Sequence, residues 1–286
     1  MLQDLCLTIV VENSSSLEND HLQAQHGLSI LLDLDMNLGS ENMKLLWDTG
    51  ATPDVMLHNA DALHIYPEEI DLICLSHGHY DHTGGLMGLL QRRRAPVPII
   101  AHPDIFAPKL KVRPFLKYIG APFTRDLLEA AGAIMLPCRG PATLAPGVMT
   151  TGEVPRVEAF ETVEGFWTMR DDQYTPDTMP DDQSLAIHLP GKGLVVISGC
   201  AHSGIINTIR YAQRITGEER LYAVIGGFHL MGADNKRIDA TARALLDLDP
   251  AVVRPGHCTG QKALSRLQDI LGESCQPLAV GDSIEF

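Results

Sequence analysis

Three histidines and one aspartate stand within six residues in the run Leu75-Ser76-His77-Gly78-His79-Tyr80-Asp81-His82-Thr83-Gly84-Gly85. Imidazole and carboxylate are poor core groups, and four of them at a strand tip repel one another unless something binds them. Together they are the ligand set suited to zinc and neighbouring first-row metals. In an extended loop His77 and His79 point the same way, because side chains alternate. Asp81 and His82 follow as the chain turns into a helix and face a second ion. A polar turn with surface histidines is the plain alternative. The length of the H-x-H-x-D-H pattern and its setting weigh against that alternative.

The elements around this run explain its placement. The apolar run Asp71 to Leu75 reads as a buried strand that delivers the loop. Thr83 to Arg94 reads as a helix, with Leu86, Leu89 and Leu90 on one face. Upstream, strands are expected at Leu5 to Glu12, Leu28 to Leu34 and Met43 to Trp47, with a polar loop over Asn13 to Gln25 and a helix near Pro53 to Leu63. Downstream, Val97 to Ala101 and Ala133 to Leu136 read as strands, Leu127 to Gly132 as a helix and Pro137 to Gly147 as turns. Gly165 to Asp182 reads as an acidic loop. Strands at Ser184 to Leu189, Gly193 to Ser198, Leu221 to Ile225 and Ala251 to Arg254 then alternate with helices at Ile205 to Ile215, Arg237 to Leu246 and Gln261 to Leu271. The mixture divides into two similar halves near residue 160 within a single domain spanning 1–286. It predicts an α/β layer architecture, two sheets face to face with helices outside each. The metal loop lies at an edge where the halves meet.

A site for two metals needs more donors than one loop carries. Ser198-Gly199-Cys200-Ala201-His202-Ser203-Gly204 follows an apolar strand and precedes a helix, and Arg254-Pro255-Gly256-His257-Cys258-Thr259-Gly260 repeats the arrangement. Each alone is a weak signal, since a lone histidine is usually a surface or core residue. Beside the first motif they become ligand candidates.

Composition bounds the rest. The chain has 286 residues and 45 % hydrophobic content, enough for a large core. No apolar run approaches the roughly 18 to 20 residues that span a bilayer. The opening residues lack the charge and apolar stretch of a signal peptide. Six cysteines without C-x-x-C pairing read as reduced thiols of a cytoplasmic protein. A net charge of −14 argues against nucleic acid as a partner. A homo-oligomer is compatible with all of this.

Charge is nevertheless uneven. Arg92, Arg93, Arg94, Lys109, Lys111, Arg113, Lys117 and Arg125 stand against the single acid Asp104. Within that stretch, residues 102–125 hold four prolines and the aromatics Phe106, Phe115, Tyr118 and Phe123. We read them as an inserted loop or lid, with a solvated connection as the alternative. Lys109, Lys111, Arg113 and Lys117 are expected to face a small anionic substrate.

The chain resembles one branch of the metallo-β-lactamase superfamily. That branch comprises metal-dependent hydrolases and includes the archaeal synthase that joins a dihydropterin-methyl group to ribofuranosyl-aminobenzene phosphate. The resemblance rests on His26-Gly27-Leu28-Ser29, Trp47-Asp48-Thr49-Gly50, His77 to Leu86, Thr151-Gly152-Glu153-Val154-Pro155-Arg156, Asp182-Gln183-Ser184-Leu185, Ser198 to Thr208, Gly226-Gly227-Phe228-His229-Leu230 and His257-Cys258-Thr259-Gly260. It implies a four-layer αββα sandwich. It assigns His77 and His79 to a first metal, Asp81 and His82 to a second, and His257 to the second site. Relatives usually carry a bridging aspartate after a glycine; here Gly199 is followed by Cys200, with His202 two residues later. His202 is the expected ligand, with Cys200 and Glu153 as further candidates. Asp48 is expected to orient a histidine through its free ring nitrogen.

The implied cofactors are two divalent ions, zinc first, with iron or manganese as alternatives. They would activate a water or polarise a substrate oxygen. Asp81 would orient that water, and His229 is a candidate substrate contact or proton donor, its plain alternative being a structural histidine. Arg156 joins the candidate substrate contacts. Three functions follow: an enzyme for a small phosphorylated or heteroaromatic substrate, hydrolase or pterin-type transferase; a generic lactone, thioester or phosphodiester hydrolase; and a non-catalytic metal-binding or redox-sensing protein.

Overall fold

The computed structural model describes residues 2–15, 20–36, 42–162 and 164–286. Residues 16–19 of the expected polar loop lie outside that set. One seven-stranded sheet runs in the order Ser283–Glu285, Asp4–Val11, Ser29–Asp35, Met43–Trp47, Leu72–Cys74, Val97–Ala101, Ala133–Pro137. A six-stranded sheet runs Val252–Gly256, Leu221–Gly227, Gly193–Ser198, Ser184–Leu189, Val148–Thr150, Ala142–Ala145.

Alternation along the strands decides which face goes where. Leu185, Ile187, Val195, Ile197, Ala223 and Ile225 of the second sheet share a core with Leu7, Ile30, Leu45 and Trp47 of the first. The intervening residues Ala186, Leu194, Val196 and Val224 pack outward on Ile205, Ile206, Ile209 and Ala212 of the helix Ile205–Thr216, and on Ile238 and Leu245 of the helix Asn235–Leu248. The outer face of the first sheet covers Met56, Leu86, Leu89 and Leu128 from its own helices. The layers are therefore helix, sheet, sheet, helix.

Parallel pairing positions the chemistry. Met43–Trp47, Leu72–Cys74 and Val97–Ala101 run parallel, as do Gly193–Ser198, Leu221–Gly227 and Val252–Gly256. Their carboxyl ends deliver Asp48, His77, Cys200, His202, His229 and His257 to one region, where open α/β sheets commonly bind ligands.

Four expectations change. The helix expected over Thr83 to Arg94 is two pieces, Tyr80–Thr83 and Leu86–Arg92. Between them Gly84 and Gly85 press on backbone: a Cβ would stand 1.9 Å from Ala51 O and 2.1 Å from Thr49 O, respectively. The chain passes between sheets between Pro137 and Ala142, before residue 160, and its last strand returns to the first sheet. The stretch read as turns over Pro137 to Gly147 holds the strand Ala142–Ala145. Finally, the insert and the supposed acidic loop are not separate loops. Leu110–Lys111 and Lys117–Tyr118 join the hairpin Trp167–Arg170 and Gln173–Pro176 in a small four-stranded sheet. Local pattern could not reveal it, because its central contact pairs residues 57 positions apart, Leu110 with Trp167.

Ile225 is fully buried in the core between the two large sheets. Ile225→Ala should cost about 2–5 kcal/mol by leaving a cavity, measured as a lowered urea midpoint at unchanged slope.

Candidate metal centre

Asp48 ends its strand with no exposure and a left-handed φ of 57°. Its carboxylate accepts from Ser76 N at 2.7 Å, from Ser76 Oγ at 2.6 Å and from His82 Nδ1 at 2.7 Å. Since the Ser76 hydroxyl proton goes to Asp48, Ser76 Oγ accepts from His77 Nδ1 at 2.9 Å. One buried acid thus sets the tautomer of two histidines, His82 directly and His77 through a hydroxyl. Both turn Nε2 toward the cluster.

These nitrogens converge. His77 Nε2 lies 2.9 Å from His79 Nδ1 and 3.3 Å from His202 Nε2. His82 Nε2 lies 3.1 Å from His257 Nε2, whose Nδ1 already donates to Asn13 Oδ1 at 3.0 Å. Asp81 Oδ2 is 3.4 Å from His257 Nε2 and 3.1 Å from His26 Nε2. Cys200 Sγ sits between the groups, 3.2 Å from His82 Nε2. Ligand atoms on a tetrahedral ion with bonds of about 2.0–2.1 Å stand roughly 3.3–3.4 Å apart. The set His77/His79/His202 therefore has the donor types and spacing of a metal site, while His82 and Asp81 each approach His257 beside it, and two lone pairs at such distances repel unless a cation or a proton intervenes. Buried His79 Nε2 and His202 Nδ1 have no hydrogen-bond partner.

Electrostatics favour the same occupant. Burial first, then neighbouring imidazoles, hold His77 and His202 well below the ordinary histidine range; burial also holds His79 there. They are neutral, as metal-binding imidazoles must be. Burial opposes charge on His82 too, but Asp48 raises it to about 9. Without a cation His82 therefore holds a second proton on Nε2 at neutral pH, which a metal ion must displace to use that nitrogen. Burial pushes the Asp81 carboxyl up, yet hydrogen bonds from His257 and His26 hold it well below its usual range.

Several expected residues sit elsewhere. Glu153 turns away from the cluster to His102 Nε2 at 2.9 Å and to Arg139 at 3.0 Å. The Lys109 ammonium is buried between Asp177 at 3.0 Å and Asp181 at 2.5 Å, so it offers nothing to an incoming anion. Arg156 spends its guanidinium on the carbonyls of His202, at 3.0 Å, and Thr178, at 2.5 Å. The basic patch is further depleted by Arg92 on Asp61 and Arg125 on Glu129. Lys111, Arg113 and Lys117 remain exposed. Lys111 Nζ stands 5.3 Å over the Phe166 ring, and Lys117 Nζ 5.7 Å over Tyr80. Phe166 in turn lies 5.1 Å from the His79 ring and 5.0 Å from that of His202. The insert thus borders the cluster. His229 also reaches it, its ring 4.2 Å from His202, at a left-handed φ of 45°.

Sequence reasoning missed Cys258, whose sulfur joins Cys200 and His257 in one donor group. Adjacency to His257 was the available signal. It also missed His26 as the partner of Asp81, although His26 lies in a matching segment. Phe166 carried no signal, being hidden in the supposed loop. All six cysteines are free.

A family model described as the metallo-beta-lactamase superfamily matches residues 29–257. The chain belongs to the metallo-β-lactamase superfamily. It is 35% identical over 274 residues, 94% of this chain and 92% of the relative, to the 7,8-dihydropterin-6-methyl-4-(beta-D-ribofuranosyl)-aminobenzene-5'-phosphate synthase of Methanocaldococcus jannaschii. An uncharacterized protein of that organism is 32% identical over 86% of this chain and 89% of its own. Among solved structures, Tm1679, a metal-dependent hydrolase of the β-lactamase superfamily, superposes with a TM-score of 0.82 at 25% identity over 99% of both chains. Superfamily membership makes this a metal-dependent enzyme type, in keeping with the donor clusters. Among the described residues no helix is long and apolar enough to cross a membrane.

Asp48→Asn places an amide where His82 Nδ1 needs an acceptor. It should weaken metal binding by about 10–100-fold, read by chelator competition. Cobalt-loaded protein should show a sulfur-to-metal charge-transfer band that persists in Cys258→Ser and disappears in Cys200→Ser; absence of the band from wild-type protein would exclude Cys200 as a ligand.

Proposed function

We propose that this chain is a dinuclear metal-dependent enzyme that acts on a small phosphorylated heteroaromatic substrate by dihydropterin-type transfer. His77, His79 and His202 would hold one ion, and Asp81, His82 and His257 the other, with Cys200 between them. Divalent ions held there, zinc first, would supply Lewis-acid polarisation of a substrate oxygen.

The observation that carries the substrate reading is the exposed cation held over the aromatic wall beside the donors. Phe166 packs on His79 and His202 with the Lys111 ammonium 5.3 Å above it. Phe166 is only 8% exposed, so it serves as an apolar wall beside the donors, and the exposed Lys111 over it is placed to take a phosphate. The resemblance to the dihydropterin synthase, over nearly the whole of both chains, supports the same substrate class.

The chain's own residues divide the remaining work. Asp81, kept ionised by His257 and His26, orients a nucleophile or leaving group. His229 Nδ1 is buried and unpartnered, so it holds or moves a proton at the cluster's edge. Phe166 excludes water from one side. Lys111, Arg113 and Lys117 form the anion-binding rim, without Lys109.

Purified protein should carry close to two first-row ions per chain by elemental analysis, and His79→Ala should lose metal and activity together. Given a dihydropterin-methyl pyrophosphate and ribofuranosyl-aminobenzene phosphate, it should release the coupled product, detected by mass spectrometry. Turnover confined to lactones, thioesters or phosphodiesters would install the generic-hydrolase reading instead.

Replacing Lys111 and Lys117 by Ala should raise KM for the phosphorylated substrate about tenfold. The penalty should shrink at high salt, where wild-type attraction is screened too. An unchanged KM at low salt would remove the rim from the substrate site.

A further inference from the structure

Lys109 is among the largest fully buried side chains of the protein, and its ammonium is not used by the site just described. It meets Asp181 Oδ1 at 2.5 Å and Asp177 Oδ2 at 3.0 Å, with all three side chains at most 2% exposed. Burying three charges is expensive, and a stability role alone is a poor reason to retain them, since apolar side chains of like volume often serve better. What distinguishes this cluster is the other oxygen of Asp181. Oδ2 accepts the Gly78 N–H at 2.8 Å. Gly78 is the residue between His77 and His79.

The contact is confined as well as short. A Cβ on Gly78 would stand 2.2 Å from Ile105 O and 3.3 Å from Asp181 Oδ2. The ligand loop is therefore pressed between the insert and the Asp181 carboxylate. The insert is tied to the same loop beyond: Tyr80 N donates to Ile119 O at 3.0 Å, and Ile119 N to Lys109 O at 2.8 Å. The next two residues brace neighbouring ligand segments, Asp182 through Ser203 N at 2.8 Å and Gln183 through Leu75 O at 2.9 Å.

We propose that Lys109 is a positioning residue for the first metal position, acting through Asp181 on the Gly78 amide. The ammonium fixes one carboxylate oxygen so that the other holds the backbone between His77 and His79. It sets the separation of their donor nitrogens and does not itself touch metal or substrate. This rests on the dinuclear reading above.

Asp181→Asn is the primary test. An amide has one acceptor oxygen, so the substituted side chain cannot serve both the ammonium and Gly78, while Lys109–Asp177 stays charge-balanced. The second variant, Lys109→Gln with Asp177→Asn, removes one charge of each sign and leaves Asp181 without its clamp. Stepwise zinc(II) and cobalt(II) affinities are measured by chelator competition, each step assigned by the histidine NMR resonances it moves. In both variants the His77/His79/His202 step should weaken by about 10–100-fold, with an altered cobalt visible spectrum, while the Asp81/His82/His257 step stays within about twofold. Equal losses at both steps, or lowered thermal stability with unchanged affinities, would overturn the proposal and leave the cluster a structural strut. Wild-type protein binding fewer than two ions would instead sink the dinuclear reading.

Discussion

Imidazole nitrogens that cannot reach water and face one another must share a cation or a proton, and the structure is organised around that constraint. Asp48 imposes it. By accepting hydrogen bonds from Ser76 Oγ and His82 Nδ1, it dictates which nitrogen of His77 and of His82 faces the centre. Asn13 does the same for His257. Without these partners the rings could exchange tautomers and satisfy one another. With them, the lone pairs point inward, and the centre is stable only if a positive charge fills it.

Such a centre needs a rigid frame, because imidazoles free to turn would relieve the repulsion by rotating away. The frame is the meeting of two sheets. Parallel strands in each place their carboxyl ends at a common edge, and the shared apolar core fixes the sheets against each other. Loops that carry donors are then secured one by one through backbone groups: Gly78 by Asp181, Ser203 by Asp182, and the His202 carbonyl by Arg156. The small sheet built from the insert closes one side and brings Phe166 against the donors.

The local half of this design was legible. His77, His79, Asp81 and His82 are close in sequence, so spacing alone brings them together, and His202 and His257 announce themselves at apolar strand ends beside glycine. Strand and helix positions were legible for a similar reason, since alternation and helical spacing are short-range patterns. Charge was the weakest guide. Lys109 looked like a surface cation among others, but Asp177 and Asp181, some seventy residues away, claim it.

By itself the sequence determined the layered α/β class, the first donor loop and the strand ends that could complete it, because each depends on residues within a few positions of one another. Tertiary structure decided which distant partners those residues found: that Cys200 and Cys258 stand together, that Glu153 serves His102, that Lys109 is an internal ion pair and that two apparent loops are one sheet. The physical reason is the same in each case. Charge satisfaction and strand pairing depend on distance through space, and only the packed sheets bring those groups within reach.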